Sequence, residues 1–160
     1  MPARINVGDR APDFSLPDQN GVMNTLSDLL ARGSLVLYFY PKDETPGCTA
    51  QACTFRAQHD DFVKAGATVV GISSDDTARH RAFADKHGLP FRLLSDESGN
   101  VRAAYGVPST LGIMPGRVTY VVDAAGFVRH IFSSQFRAWA HVEEALVALR
   151  SMAEKNGSTG

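Results

Sequence analysis

A run of apolar residues that ends at a proline constrains this chain more than any other feature. Residues 35–40 read LVLYFY, and Pro41 follows them directly. The apolar side chains are continuous and do not alternate with polar ones, which is typical of a strand covered on both faces. Such strands occur in parallel or mixed sheets that have helices on either side. The sequence therefore predicts an α/β fold built around this strand.

A cysteine follows this strand at the predicted start of a helix. The loop after Pro41 ends in Pro46 and Gly47, Cys48 comes next, and Cys53 is the only other cysteine. The unpaired N–H groups and the positive end of the macrodipole at a helix N-terminus favour a thiolate. Sites in α/β folds also lie at the carboxyl ends of parallel strands. We therefore predict that Cys48 is reactive rather than an inert buried thiol.

The spacing between the two cysteines leaves the role of Cys53 open. On an intact helix the two Cα atoms would lie ~8–9 Å apart, given ~1.5 Å of rise per residue and a radius of ~2.3 Å. A disulfide requires Cα atoms within roughly 7 Å of each other. Either Cys53 is inert, or the first turns of the helix unwind so that the sulfurs can meet. Helix N-termini open at low cost, so unwinding is physically reasonable.

The remaining predicted elements alternate between strands and helices. Further strands are predicted at 67–73, 91–94, 117–123 and 127–133. Helices are predicted at 28–31 after a Ser27 N-cap, at 48–64, 77–87 and 96–104, and around 142–149. The last two strands flank an Ala-Ala-Gly turn and form a predicted antiparallel hairpin. The Asn20-Gly21 pair predicts a further hairpin near the N-terminus.

This order of elements predicts one domain at 1–155 with a mixed sheet flanked by helices. Residues 107–116 are predicted to be loop, and residues 156–160 a flexible tail. No apolar run approaches the ~20 residues of a membrane helix, and the N-terminus lacks the apolar core of a signal peptide. We expect a monomer, with a weak dimer as the alternative.

The net charge and the number of cysteines limit the binding partners and the cell compartment that we expect for this chain. The formal net charge is −1, so electrostatics gives no reason to expect binding to nucleic acid or to an anionic membrane. Two cysteines are too few for a secreted disulfide scaffold, so a reducing cytoplasm is expected.

The other polar residues predict neither a metal site nor a cofactor site. The C-x₄-C pair and the scattered histidines match no zinc-ligand spacing, and no glycine-rich phosphate motif is present. His80 and His87 share a helix face, where we predict that both are solvated. Asp75 and Asp76 are interpreted as charges that complement a helix start.

A reactive thiolate also requires a fixed cation, and Arg117 is the best candidate. It follows Pro115 and Gly116 and opens a predicted strand, which would direct its side chain from the edge of the sheet. The sequence is equally compatible with an ordinary surface arginine at this position.

The segment from Pro41 to Thr49 resembles a signature of the peroxiredoxins. Its residues PKDETPGCT match the pattern P-x-x-x-T-x-x-C, and the continuation CTAQAC is similar to the bacterioferritin comigratory protein, or peroxiredoxin Q, branch. The similarity includes residues 8–14, 71–75, 91–96 and 117–123. It implies a thioredoxin-like fold and a two-electron peroxidase.

The resemblance also implies a role for each of five residues. Cys48 would be the peroxidatic thiolate, and Cys53 would resolve its sulfenic acid as an intramolecular disulfide. Thr45 would hydrogen-bond the thiolate and the peroxide, and Arg117 would stabilise charge on the leaving oxygen. Pro41 would shield the pocket from water. The substrate would be hydrogen peroxide or an organic hydroperoxide, and the reductant thioredoxin or glutaredoxin.

Two rival functions remain. The first is a thioredoxin-like disulfide reductase, since Pro115 precedes a strand as in such proteins, but the C-x-x-C pair that they use is missing. The second is a non-enzymatic holdase or redox sensor that uses the same cysteine oxidation.

Overall fold

In a computed structural model of the protein, short strands alternate with helices along the chain. The structure describes residues 5–107, 109–110, 114–134 and 137–157. The strands are β1 (Ser15–Pro17), β2 (Met23–Thr25), β3 (Ser34–Phe39), β4 (Ala67–Ser73), β5 (Arg92–Ser95), β6 (Ser109–Thr110), β7 (Met114–Pro115), β8 (Val118–Val122) and β9 (Val128–Ser133). The helices are α1 (Leu26–Leu30), α2 (Pro46–Ala57), α3 (His59–Lys64), α4 (Thr77–His87), α5 (Asn100–Tyr105) and α6 (Ala138–Gly157).

Five of the strands form a mixed central sheet in the order β5-β4-β3-β8-β9. Strands β3, β4 and β5 are parallel, whereas β8 pairs antiparallel with both β3 and β9. Strands β1 and β2 form a separate antiparallel hairpin. The predicted mixed sheet, closing hairpin and N-terminal hairpin are therefore confirmed.

Strand β3 lies at the middle of the sheet and is buried on both faces, as its continuous apolar run predicts. Val36 and Tyr38 pack in one core cluster with residues of α2, α4 and α6. Leu35 and Leu37 pack in a second cluster on the other face, with residues of α1, α5 and the N-terminal hairpin. Because full burial of each such side chain contributes about 1.5–3 kcal/mol, β3 is fixed firmly and its carboxyl end is a rigid platform.

Several helix boundaries differ from the predicted ones for local reasons. The predicted helix 48–64 is interrupted at Gln58, whose φ of −100° and ψ of 10° separate α2 from α3. The N-cap of α1 is Thr25 and not Ser27, because the Thr25 hydroxyl accepts from the Asp28 N–H. Helix α5 begins after Gly99, later than predicted, since Asp96 instead accepts hydrogen bonds from the amides of residues 101 and 102.

The segment predicted as loop, 107–116, contains two short paired strands. Strands β6 and β7 join Ser109 to Pro115 and Thr110 to Met114. Residues 108 and 111–113 lie outside the described part of the chain.

The last helix extends into the predicted tail. Helix α6 continues to Gly157, and residues 158–160 of the predicted tail also lie outside the described part. Within the described residues, no helix combines the length and apolar character that crossing a membrane requires.

Candidate active site

Cys48 lies in the first turn of α2, just after the carboxyl end of β3. Pro46 occupies the first helical position, where its missing N–H is not needed. Thr45 precedes it as an extended N-cap residue without a side-chain cap bond. The Cys48 side chain is buried, with 1% exposure. The strand and the turn thus place a buried sulfur at the positive end of a helix, as the sequence predicts.

Arg117 supplies the cation beside this sulfur. Its Nη2 donates to Cys48 Sγ at 3.3 Å, and its Nη1 donates to Gln51 Oε1. Arg117 is itself 5% exposed, so the contact is shielded from solvent. A charge-assisted donor in this position favours the thiolate over the thiol. The structure thus brings Arg117 next to Cys48 and buries it, so it is not a surface arginine.

Gly47 lies against the Arg117 guanidinium. A Cβ atom at residue 47 would lie 3.1 Å from Arg117 Nη2, closer than most side-chain contacts. The small residue before Cys48 therefore leaves room for the guanidinium.

Thr45 is positioned by its own turn. Its hydroxyl donates to the Lys42 carbonyl at 2.8 Å, so its proton is already used. The oxygen lone pairs remain able to accept a hydrogen bond, for example from the O–H of a peroxide. In this structure the Thr45 hydroxyl therefore donates to Lys42 and not, as predicted, to the Cys48 sulfur. Pro41 is half-buried at the end of β3, and its shielding role stays a prediction.

A buried network of acids and a histidine holds the turn between β3 and α2. Asp43 Oδ2 lies 2.6 Å from His80 Nδ1, and Asp43 Oδ1 accepts from the Tyr40 hydroxyl at 2.5 Å. The Asp43 N–H donates to Asp75 Oδ2 at 2.8 Å, and the Ser73 hydroxyl donates to the same oxygen at 2.6 Å. Both the side chain and the backbone of Asp43 are therefore fixed to the protein interior.

The hydrogen-bond partners of His80 locate its protons. His80 Nε2 lies 3.0 Å from the Leu94 carbonyl, which can only accept, so Nε2 carries a proton. One further proton lies between Nδ1 and the Asp43 carboxylate. With His80 at 0% exposure and Asp43 at 4%, this contact is a buried ion pair or its neutral equivalent. Such a pair is costly to break from one side only.

The Asp43, Asp75 and His80 ligand atoms lie within 4.8 Å of one another, close enough to hold a metal ion. Four of the hydrogen bonds above already occupy the carboxylate oxygens that a metal would need. The arrangement fits a structural anchor better than a metal centre. The prediction that His80 is solvated is wrong, because α4 turns this residue towards the turn at 42–45.

Cys53 lies in the same intact helix, one and a half turns after Cys48. Both cysteines are free, and Cys53 is partly exposed whereas Cys48 is buried. Cys53 Sγ lies 4.0 Å from Nδ1 of His87, the last residue of α4. The two thiols therefore have different surroundings although one helix holds both.

The model of the AhpC/TSA family matches residues 7–131 of the chain. The chain belongs to this family: it is a peroxiredoxin. Its fold and its two-cysteine helix agree with the predicted peroxiredoxin Q branch, and the predicted peroxidase activity is confirmed.

This peroxiredoxin is similar to named relatives along most of its length. It is 52% identical over 150 residues to "Peroxiredoxin Q, chloroplastic" of Arabidopsis thaliana, covering 93% of this chain and 69% of that one. The solved structure of peroxidoxin BcpB from Mycobacterium tuberculosis matches with a TM-score of 0.87 and 41% identity, covering 92% and 98% of the two chains. The bacterioferritin comigratory protein of Xanthomonas campestris matches with a TM-score of 0.81 and 31% identity, covering 88% and 92%.

A neutral histidine supports the strand that positions Arg117 in this peroxiredoxin. His141 Nε2 lies 2.8 Å from the Ser134 carbonyl, and its Nδ1 lies 2.7 Å from the Thr119 hydroxyl. Burial, followed by the nearby Arg117 and Arg137 charges, lowers the pKa of His141 to about 4, against a hydrogen bond to Ser134 that raises it. His141 is therefore neutral at pH 7 and adds no positive charge next to Arg117.

Four polar residues of the peroxiredoxin site were not assigned to it by sequence reasoning. They are Asp43, Gln51, His80 and His87. Gln51 could have been found, since it lies three residues after Cys48 on the same helix face. The other three depend on how α4 packs against α2 and the preceding turn, which no local pattern shows.

Proposed function

We propose that the chain reduces hydrogen peroxide and organic hydroperoxides with Cys48 as the peroxidatic residue and Cys53 as the resolving residue. The observation that supports this most directly is the Arg117 guanidinium 3.3 Å from Cys48 Sγ at the start of α2. A helix N-terminus and a buried cation on one sulfur are the conditions that produce a nucleophilic thiolate.

In the first step the Cys48 thiolate attacks the terminal oxygen of the peroxide. A sulfur–oxygen bond forms, the oxygen–oxygen bond breaks, and the leaving alkoxide or hydroxide takes a proton to become alcohol or water. Arg117 would stabilise the developing negative charge, and Thr45 would orient the peroxide by accepting its O–H. Pro41 would restrict water on the strand side.

In the second step Cys53 would condense with the Cys48 sulfenic acid. Since the two residues are separated by five positions on an intact helix, α2 must unwind in its first turns before the sulfurs meet. Thioredoxin would then reduce the disulfide by thiol exchange, with glutaredoxin as the alternative donor.

Peroxide consumption coupled to thioredoxin and its reductase tests this proposal. Cys48→Ser should reduce turnover to background. Cys53→Ser should still consume one equivalent of peroxide per chain and then stop, because its sulfenic acid has no resolving thiol. Sustained thioredoxin-dependent turnover in Cys48→Ser would contradict the assignment of the peroxidatic residue.

We propose a monomer as the working unit, with a weak dimer as the alternative. Sedimentation at micromolar concentration would distinguish it from a weak dimer. We place the enzyme in the cytoplasm, because its two thiols have to be reduced between turnovers. Fractionation of cells that express the chain would test this location.

A further inference from the structure

We propose that His87 accepts the proton of the Cys53 thiol as the disulfide forms, an inference that rests on the proposed resolving role of Cys53. The contact behind it is the 4.0 Å approach of His87 Nδ1 to Cys53 Sγ. This distance is at the long end of hydrogen bonds to sulfur, and a small movement of either side chain would shorten it.

The His87 ring is held in this orientation by its surroundings. It packs edge-on against Phe83, with 4.9 Å between ring centroids and 68° between planes. The His87 carbonyl accepts from Arg56 Nη1 at 2.5 Å, which joins the end of α4 to the turn of α2 that follows Cys53. Among the described residues, His87 Nε2 has no hydrogen-bond partner. The sulfur is thus the polar group that the ring faces.

The end of a helix suits a residue that gains a proton. His87 is the last residue of α4, where the negative end of the macrodipole stabilises a cation. Charged groups among the described residues near this helix end include Arg56 on α2 and Lys86 on α4, which pairs with Glu44 at 3.1 Å. His87 is half-buried as a residue, and its Nε2 is itself buried.

Cys53 needs such a base more than Cys48 does. It lies in the middle of α2, away from the helix N-terminus and from the Arg117 contact that favour the Cys48 thiolate. An ordinary cysteine is only a few per cent ionised at pH 7, and the thiolate is the form that attacks. A neighbouring imidazole that takes the proton allows the thiolate to form at pH 7 as the reaction proceeds.

Disulfide formation begins with a proton transfer in this proposal. His87 Nδ1 takes the proton from the Cys53 thiol, and the resulting thiolate attacks the sulfur of the Cys48 sulfenic acid. The sulfur–sulfur bond forms as the sulfur–oxygen bond breaks. The departing hydroxide takes up a proton, supplied by the His87 imidazolium or by solvent, and leaves as water. His87 is then neutral again.

Rapid acid quench with mass spectrometry tests the proposal. Reduced wild type, His87→Phe, His87→Gln and the control His130→Phe are mixed with one equivalent of hydrogen peroxide between pH 6 and 9. We expect disulfide formation in both His87 variants to be at least about tenfold slower than in wild type at pH 7. The difference should shrink to within about twofold at pH 9, where an ordinary thiol is largely ionised without a base. Sulfenic acid formation should be unchanged.

The control and the second variant separate the outcomes. His130 pairs with Glu144 away from both cysteines, so His130→Phe should match wild type. Equal rates in all variants, or the same slowing at every pH, would overturn the proton-accepting role. Absence of a Cys48–Cys53 disulfide in oxidised wild type would instead contradict the resolving role in the proposed function. If His87→Phe does not fold, His87→Gln alone decides.

Discussion

The two cysteines of α2 share a helix and differ in almost everything else. Cys48 is buried at the helix start, contacts a buried arginine and follows a turn fixed by a buried acid–histidine network. Cys53 is partly exposed in the helix middle and makes a long contact with His87 at the end of α4. Five positions therefore separate a buried thiol beside a cation from a partly exposed thiol beside a histidine.

This difference shows how one helix can serve two opposite requirements. Activation of Cys48 needs an ordered N-terminal turn, because disordered N–H groups stabilise no thiolate. Disulfide formation needs the same turn to open. Arg56 and Cys53 contact α4 and hold the later part of the helix, so the opening proposed above would involve the part that holds Cys48.

The largest expected effect comes from removing the anchor on the Cys48 side. His80→Leu would leave the Asp43 carboxylate buried without its imidazole partner, which should cost about 3–5 kcal/mol in the free energy of unfolding. Urea denaturation measures this loss. Adding Asp43→Asn to His80→Leu should recover part of it, since the unpaired charge is then gone. No recovery in the double variant would mean that His80 contributes by packing alone.

The second-largest effect is expected for Arg117→Met, which should slow only the reaction of Cys48 with peroxide. Loss of one donor to a developing charge typically costs ~10²–10³-fold in rate, so peroxide reduction should fall by about that factor. Stopped-flow mixing with peroxide gives the rate. Arg129→Met is the matched control, because Arg129 pairs with Asp123 at the surface and should leave the rate unchanged. A similar loss in both variants would contradict a specific role for Arg117.

The pH dependence of stability should report on His141, which supports the strand next to Arg117 on the Cys48 side. The folded-state pKa of His141 is about 4, whereas an unfolded histidine titrates near 6.5. The unfolded state therefore binds more protons below pH 6.5, and stability is lost as the pH falls from about 6.5 towards 4. The loss between pH 7 and 5 should be about 2 kcal/mol. Denaturation of His141→Gln should lack this part of the slope, and an unchanged slope would exclude His141 as its source.

The smallest effect is expected for Gln51→Leu. Arg117 would keep its contact with Cys48 but lose the hydrogen bond that orients it, at a cost of about 1 kcal/mol, or roughly fivefold in the peroxide step. Alkylation of Cys53 should not change. If Gln51→Leu altered Cys53 instead, the separation between the two thiol environments would be less complete than the contacts indicate.

Sequence reasoning succeeded where the information is local. The apolar run before Pro41 predicts the buried central strand, and the strand–turn–helix order around Cys48 predicts the position of the thiol. Gly88 ends α4 in a left-handed conformation, as expected of a glycine after a helix. Arg117 could be named as a candidate, but only its packing against Gln51 and Cys48 distinguishes it from a surface arginine.

Sequence reasoning failed where contacts join distant segments. His80 lies 37 positions after Asp43 and contacts it only because β4 and β3 are parallel neighbours that bring α4 onto the turn. Asp76 does cap α4, as predicted for an acid at a helix start, whereas the adjacent Asp75 points to the interior. No periodicity distinguishes these two aspartates.

The weak start of α2 has a consequence for protein engineering. The Thr45 hydroxyl donates to the Lys42 carbonyl and does not cap the helix. Gly47 in the first turn is a poor helix former. Engineering for thermal stability commonly introduces better helix-capping residues and replaces helix glycines by alanine. Because the proposed cycle opens this turn, a firmer helix start would slow turnover, and alanine at residue 47 would also crowd Arg117. Durability is therefore better sought in the sheet and in α6.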